Sequence, residues 1–435
     1  MRLAGSNPSI NRRDFLGAAG AGALAALGAG IWTPEAKAAA ARVGPLKITK
    51  IEAVRFNRDR PIQGIAPDWT WVRLHTDQGI MGIGESYSGA GHEAHVAVLK
   101  AYAHLILGKD AADIERLWQD LFYQISYAPW GGAETRMLSA LNIAQWDILG
   151  KAAGMPVYKL LGGKSQQKLQ VYNTMNGWPI NGMREHTAPE KLTEFLLSRG
   201  IKGIKIYPYD RGPVNAAARH GGTFISKSEL RESLDPIQRI RKTAGDEMGI
   251  FLDLSSKWNL TCSIEIAHSL EPYDIMYLED PMLADNVGAY ATLARQTSIP
   301  ICISERLATR FGFREMFEQR AVGVVMWDVT WCGGISEARK IANLADTYKL
   351  PVCPHTGGGP VLWFASMHTA TSLTNFFIME SVYHMYHDVY PHFIQDVPAP
   401  IDGSVTAPDA PGLGIELREE PFRNGDAVIE TIAEA

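Results

Sequence analysis

Apolar and polar positions divide the chain into two textures. Residues 46–87 read as strands: 46–51 alternate in part, and 69–76 are rich in β-branched and aromatic residues. The second run reaches Asp77-Gln78-Gly79, a hairpin-turn sequence, and a further strand follows at 80–85. Over 89–155 the alternation is lost. Met137, Leu141, Ala144 and Ile148 stand at helical spacing, and the stretch ends at Gly154 and Pro156. An α+β domain over 46–165 is predicted.

From residue 169 short β-branched runs recur, each closing on polar residues. They cover 169–174, 202–207, 249–255, 275–280, 299–305, 323–329, 350–356 and 376–381. Helical stretches such as 263–270 and 335–348 lie between them. Strands alternating with helices at this spacing predict a parallel α/β barrel over 166–385, with an open doubly wound sheet as the alternative. After Ser381 the pattern stops, and 397–414 is rich in Pro, Asp and Gly. The segment 386–435 is expected to pack back on the first domain.

The first residues follow neither texture. Arg12-Arg13 precede Phe15-Leu16, a weakly apolar Ala/Gly stretch, and an A-x-A site at Ala36-Lys37-Ala38. This resembles a twin-arginine export signal cleaved after Ala38, which predicts a periplasmic mature protein. No window reaches the ~20 apolar residues of a membrane span.

Composition narrows the classes further. With 42 basic and 47 acidic residues the formal charge is −5, which argues against a nucleic-acid partner. At 46% hydrophobic the chain can bury a core, and four cysteines make no disulfide scaffold.

The charged residues sit at informative places. The strand ends carry Lys205, Asp253, Glu279, Glu305, Asp328, His355 and Glu380. In a barrel those ends converge on one face, which holds the site. Any one carboxylate there could be a helix cap. Asp253, Glu279 and Glu305, however, close three successive strands at spacings of 26 and 26. Converging carboxylates repel one another unless a cation joins them, and an all-oxygen trio suits Mg²⁺. Asp328 could hold one imidazole nitrogen of His355 and leave the other as a general base or acid. Lys205 could neutralise a substrate carboxylate or act as a base, and Glu380 could hydrogen-bond an enolate or carboxylate oxygen. Together these groups suit removal of a proton α to a carboxylate, with the ene-diolate stabilised by the cation.

At these residues the sequence resembles the enolase superfamily, and within it the mandelate racemase subgroup with its sugar-acid dehydratases. The likeness runs from about residue 46 to 415. It is carried by Val72–Ile80 with Gly84-Glu85, by Ser139–Asp147, by Leu161-Gly162-Gly163-Lys164 and by Leu278-Glu279-Asp280-Pro281. Further on it is carried by Ser304-Glu305, by Asp328 followed by Gly333-Gly334-Ile335-Ser336-Glu337, and by Pro354-His355 before Gly359-Pro360. The resemblance implies an α+β capping domain over a modified TIM barrel, (β/α)₇β. It implies Mg²⁺ on Asp253, Glu279 and Glu305, an Asp328–His355 dyad, and Glu380 near the substrate. It also implies a homo-oligomer, by analogy with the subgroup.

Two positions depart from the subgroup pattern. Its common Lys-x-Lys reads Lys205-Ile206-Tyr207 here, and Ser255 stands where some relatives place Asn or His. One strong base, His355, is left. Racemisation needs proton carriers on both faces of the substrate, whereas dehydration can use one. The expected activity is therefore Mg²⁺-dependent dehydration of an aldonate-type sugar acid to a 2-keto-3-deoxy acid. A racemase, epimerase or lactone cycloisomerase is the alternative, and a sugar-acid binding protein without catalysis the third reading. Tyr207 could serve as a second acid, although a phenol pKa of ~10 makes a poor base. Specificity is expected from loops near 62–71 and 86–92 and from the insertion 208–230, which holds Tyr209, Asp210, Arg211, Arg219 and His220. Trp69, Trp130 and Trp178 could wall the pocket or fill the core.

Overall fold

The computed structural model describes residues 44–87, 91–125, 131–209 and 215–434. The leader expected over 1–38, Trp130, Asp210 and Arg211 lie outside them. Strands β1 (Ile48–Phe56), β2 (Trp69–Thr76) and β3 (Met81–Tyr87) pair antiparallel. Their hairpin turns at Gly79, whose φ of 73° costs a residue without a Cβ little. The helix Gly132–Ala153 lies against β3. Gly82 and Gly84 permit that approach, because a Cβ on either would stand 2.2 and 1.8 Å from the carbonyl oxygens of Ala144 and Ala140. Met137, Leu141, Ala144 and Ile148 join Ile48, Val72, Leu74 and Leu99 in one buried core.

The second sheet contains β4 (Leu169–Thr174), β5 (Gly203–Ile206), β6 (Gly249–Asp253), β7 (Ile275–Glu279), β8 (Ile301–Ile303), β9 (Val324–Val325) and β10 (Met379–Ser381). Neighbours are parallel in the order β10-β4-β5-β6-β7-β8-β9. The predicted run at 350–356 forms no regular strand. Pro351 and Pro354 lack N–H donors, so the ladder there rests on few residues. Val352 nonetheless bridges Val325 on one side and Phe376 on the other, and Met379 pairs with Val171. These pairings close the ring, so the barrel is correct and the open sheet is not.

Period-two alternation explains how the barrel presents its chemistry. Tyr172, Phe251, Tyr277, Met326 and Cys353 form a buried interior layer, with Ile378 packed against it. Two residues further along the same chain runs stand Thr174, Asp253, Glu279, Asp328, His355 and Glu380. Lys205 follows Gly203 in the same way, and a Cβ on Gly203 would meet Tyr172 at 2.6 Å.

The chain's end ties both layers together. Strand β11 (Ser404–Val405) pairs with β4, and β12 (Ala427–Glu434) pairs with β1 at the edge of the first sheet. Between the layers, Ser139 Oγ accepts from Gly333 N at 2.9 Å, and Asn142 Oδ1 accepts from Ser336 N at 3.0 Å. Glu85 is fully buried. Its oxygens accept from Trp71 Nε1 at 2.9 Å and from the backbone N–H groups of Gly359, Val361 and Leu362 at 2.9–3.3 Å. It thereby caps the N-terminus of the barrel helix Pro360–Thr371 from the other layer.

Candidate active site

A cavity of about 350 Å³ opens at the carboxyl ends of the barrel strands. Tyr207, Asp253, Glu305, His355 and Glu380 line it from the barrel, and Asp68, Trp69 and Tyr87 from the capping layer. Trp178 also lines it. Lys205, Glu279 and Asp328 are not among its lining residues: Lys205 and Asp328 stand behind, bonded to Glu380 and His355, and Glu279 is bonded to Lys205. A larger cavity of about 480 Å³ meets this one only at Tyr207 and holds none of the other strand-end charges.

Lys205 is completely buried. Its Nζ donates to both oxygens of Glu279 at 2.9 and 2.7 Å, and Glu380 Oε1 lies 2.9 Å away. Asp253 Oδ2 is 3.9 Å off. Burial alone would lower the ammonium pKa, but Glu279 and Glu380 outweigh it and hold it well above the ordinary value. Lys205 is thus a fixed cation among carboxylates.

Glu380 is held on both oxygens. Thr174 Oγ1 and Lys205 contact Oε1, and Thr356 N donates to Oε2 at 2.7 Å. Burial opposes its charge, yet Lys205 and His355 bring its carboxyl down to about 2.

Asp328 Oδ1 accepts from Thr330 N and Oγ1 at 2.7 and 2.6 Å, leaving Oδ2 to meet His355 Nδ1 at 2.7 Å. A carboxylate only accepts, so Nδ1 carries the proton. His355 Nε2 then stands 3.6 Å from Glu380 Oε2. Burial works against the imidazolium, but Glu380 and Asp328 raise His355 to about 9.

Tyr207 lies with Lys205 Nζ 6.0 Å from its ring centre. Burial and the nearby carboxylates push its phenol well above 10, so it is a donor and no base.

Among the described residues, no group of three or more His, Cys, Asp or Glu stands ready-made at metal-holding distance. Asp253 and Glu279 are nevertheless in direct register on β6 and β7, and Glu305 lies just beyond β8. Glu305 Oε2 is buried without a hydrogen-bond partner, while Arg306 Nη2 stands 3.4 Å from Oε1. All donors are hard oxygens. The residues fit a hard divalent cation.

Some functional neighbours escaped sequence reasoning. Thr174 and Thr356 brace Glu380, and Trp331 packs beside His355 at 5.6 Å between ring centres. Thr174 ends a predicted strand, but its lack of charge hid it. Asp68, Trp69 and Tyr87 do fall in or beside the loops expected to face the substrate. The described residues of the insertion after Pro208 do not line the cavity. Arg219 and His220 instead hold Glu229 at 3.0 Å, and Glu229 closes a capping box with Ser226.

Comparison with known proteins agrees with this architecture. Residues 188–421 match the enolase C-terminal domain-like family, and 66–162 match the mandelate racemase / muconate lactonizing enzyme N-terminal domain. The chain belongs to the enolase superfamily. A mandelate racemase subgroup enolase from Agrobacterium tumefaciens is 37% identical, with 90% of this chain and 99% of that one covered at a TM-score of 0.80. D-xylonate dehydratase of Haloferax volcanii is 28% identical, covering 80% of this chain and 83% of its own. D-galactonate dehydratase of Xanthomonas euvesicatoria is 29% identical, covering 82% and 91%.

Proposed function

We propose that this enzyme is a hydro-lyase that dehydrates an aldonate-type sugar acid to a 2-keto-3-deoxy acid with Mg²⁺. The observation that carries the reading is the Asp328–His355 pair at 2.7 Å, beside a cavity that Tyr207, a phenol held in its neutral form, also lines. Named relatives that dehydrate D-xylonate and D-galactonate support the substrate class.

Asp253, Glu279 and Glu305 would hold the cation, with Lys205 offsetting the remaining carboxylate charge. When bound, Mg²⁺ supplies Lewis-acid stabilisation of negative charge on the substrate carboxylate. His355 acts from Nε2, because Nδ1 is committed to Asp328. Its neutral form, the minority near pH 7 for a group raised to about 9, takes the proton from C2. The imidazolium, stabilised by Asp328 and Glu380, then returns that proton to the departing C3 hydroxyl. One residue serves as base and then acid, so no second base is needed. The enol tautomerises to the 2-keto acid.

A panel of sugar acids, incubated with and without Mg²⁺ and assayed for 2-keto acid, tests this directly. No keto acid from any member, with metal binding verified, would refute it. Exchange of solvent deuterium at C2 without keto acid would point to epimerisation, with Tyr207 as the second carrier. On this reading the mature enzyme works in the periplasm. Export depends on Arg12-Arg13, and retention of unprocessed chain in the cytoplasm would contradict it.

A further inference from the structure

We propose that Trp331 is a positioning residue for His355, held against it from the capping layer by Tyr87 and Arg136. The inference rests on the reading of His355 as the proton-transferring group.

The residues from Asp328 to Trp331 form one turn, closed by Trp331 N donating to Asp328 O at 3.0 Å. The same turn therefore brings two side chains to His355. Asp328 takes Nδ1, and the Trp331 ring packs on the imidazole at 5.6 Å between centres and 51° between planes. Asp328 holds one ring nitrogen through a single hydrogen bond, which leaves some rotation about the His355 Cβ–Cγ bond open. An aromatic ring beside the imidazole restricts the rotation.

Trp331 is itself clamped. Tyr87 stacks on it at 5.8 Å with planes 9° apart, and the Arg136 guanidinium lies 4.0 Å from its ring centre. Arg136 Nη1 also donates to the carbonyl of Tyr87, which joins the two clamping residues. A partly buried cation over an indole face is attracted by the ring's negative π-surface, so the stack holds the ring in place. Tyr87 ends β3 and Arg136 lies on the helix Gly132–Ala153, both in the capping layer. Trp331 and His355 belong to the barrel. The stack thus crosses between the layers and ends at the base. The charged groups facing His355 are Asp328, Glu380 and Glu305, and Arg136 is the cation across Trp331.

The test uses the full-length metal-loaded enzyme and the variants Trp331→Leu, Trp331→Phe, Arg136→Met and Arg136→Lys. Trp331→Leu and Arg136→Met are expected to lower kcat by about 10- to 100-fold with KM changed less than about threefold, the signature of a misplaced reacting group. Trp331→Phe and Arg136→Lys should recover most of it. The midpoint of the His355 imidazole titration, followed by NMR, should shift in the two disruptive variants and return in the conservative ones. That measurement needs no turnover, so it separates this inference from the dehydratase reading. If no sugar acid is consumed but the resonance shifts as stated, the positioning role stands and the substrate assignment falls. An unmoved resonance, or a change confined to KM, would overturn the role in favour of substrate binding by Arg136. If Trp331→Leu does not fold, the Phe and Arg136 variants decide on the same criteria.

Discussion

Lys205 and Glu279 are locked together, with the lysine Nζ within 2.9 Å of both carboxylate oxygens and neither side chain more than 1% exposed. A charge pair this deep is costly to break from one side, because the partner stays buried and uncompensated. Here Glu380 would be stranded as well. Lys205→Met is therefore expected to destabilise the metal-free protein by about 3–5 kcal/mol in urea titrations. The double variant Lys205→Met/Glu279→Gln should recover part of that loss.

Mg²⁺ should stabilise the folded chain. Binding at 100 times Kd adds about 2.7 kcal/mol, seen as a rise in Tm that grows with metal concentration. Glu305→Gln removes a buried acceptor that has no partner on Oε2. This variant should fold as well as the wild type without metal and lose the Mg²⁺-dependent rise.

His355 makes stability pH-dependent in a defined direction. Burial opposes its charge, but Glu380 and Asp328 raise it to about 9 in the folded state, against 6.5 when unfolded. Its contribution is fully present below pH ~6.5 and is lost as pH rises through about 9. Metal-free wild type should therefore lose stability across that window, on the order of 3 kcal/mol. His355→Asn should show a flatter profile there. Bound Mg²⁺ would neutralise part of the surrounding carboxylate charge and should move the midpoint down.

Glu85 joins the capping layer to the helix that follows the His355 loop. Its four accepted hydrogen bonds are all buried. Glu85→Ala leaves those N–H groups unsatisfied and should cost about 2–4 kcal/mol, measured by denaturant unfolding. Glu85→Gln should cost less but not nothing, since its amide N–H₂ meets donors.

The barrel was legible because each strand is a short β-branched run closed by polar residues, a charge among them in every run but the first. The weak point was 350–356, where Pro351 and Pro354 reduce a full strand to one bridging residue, Val352. The charged site residues were legible for the same reason: alternation carries each of them inward two residues past a core side chain. Contacts between layers were not. Trp331, Tyr87 and Arg136 lie far apart in sequence and carry no shared spacing, so only the folded chain joins them. The segments that carry the family likeness turned out to include the seam between layers. Ser139, Asn142, Gly333 and Ser336 meet there, as do Glu85 and Gly359. Arg219 and His220 looked like substrate-facing residues, yet their charges serve the helix cap at Glu229.

The central claim is that His355, paired to Asp328, is the single residue that both removes and returns the proton. It is tested most directly by comparing wild type with His355→Asn on the sugar acid that the panel identifies, in deuterated water with saturating Mg²⁺. The account predicts 2-keto acid from the wild type, and from the variant neither keto acid nor deuterium at C2. Keto acid formation by His355→Asn at a rate near that of the wild type would contradict it.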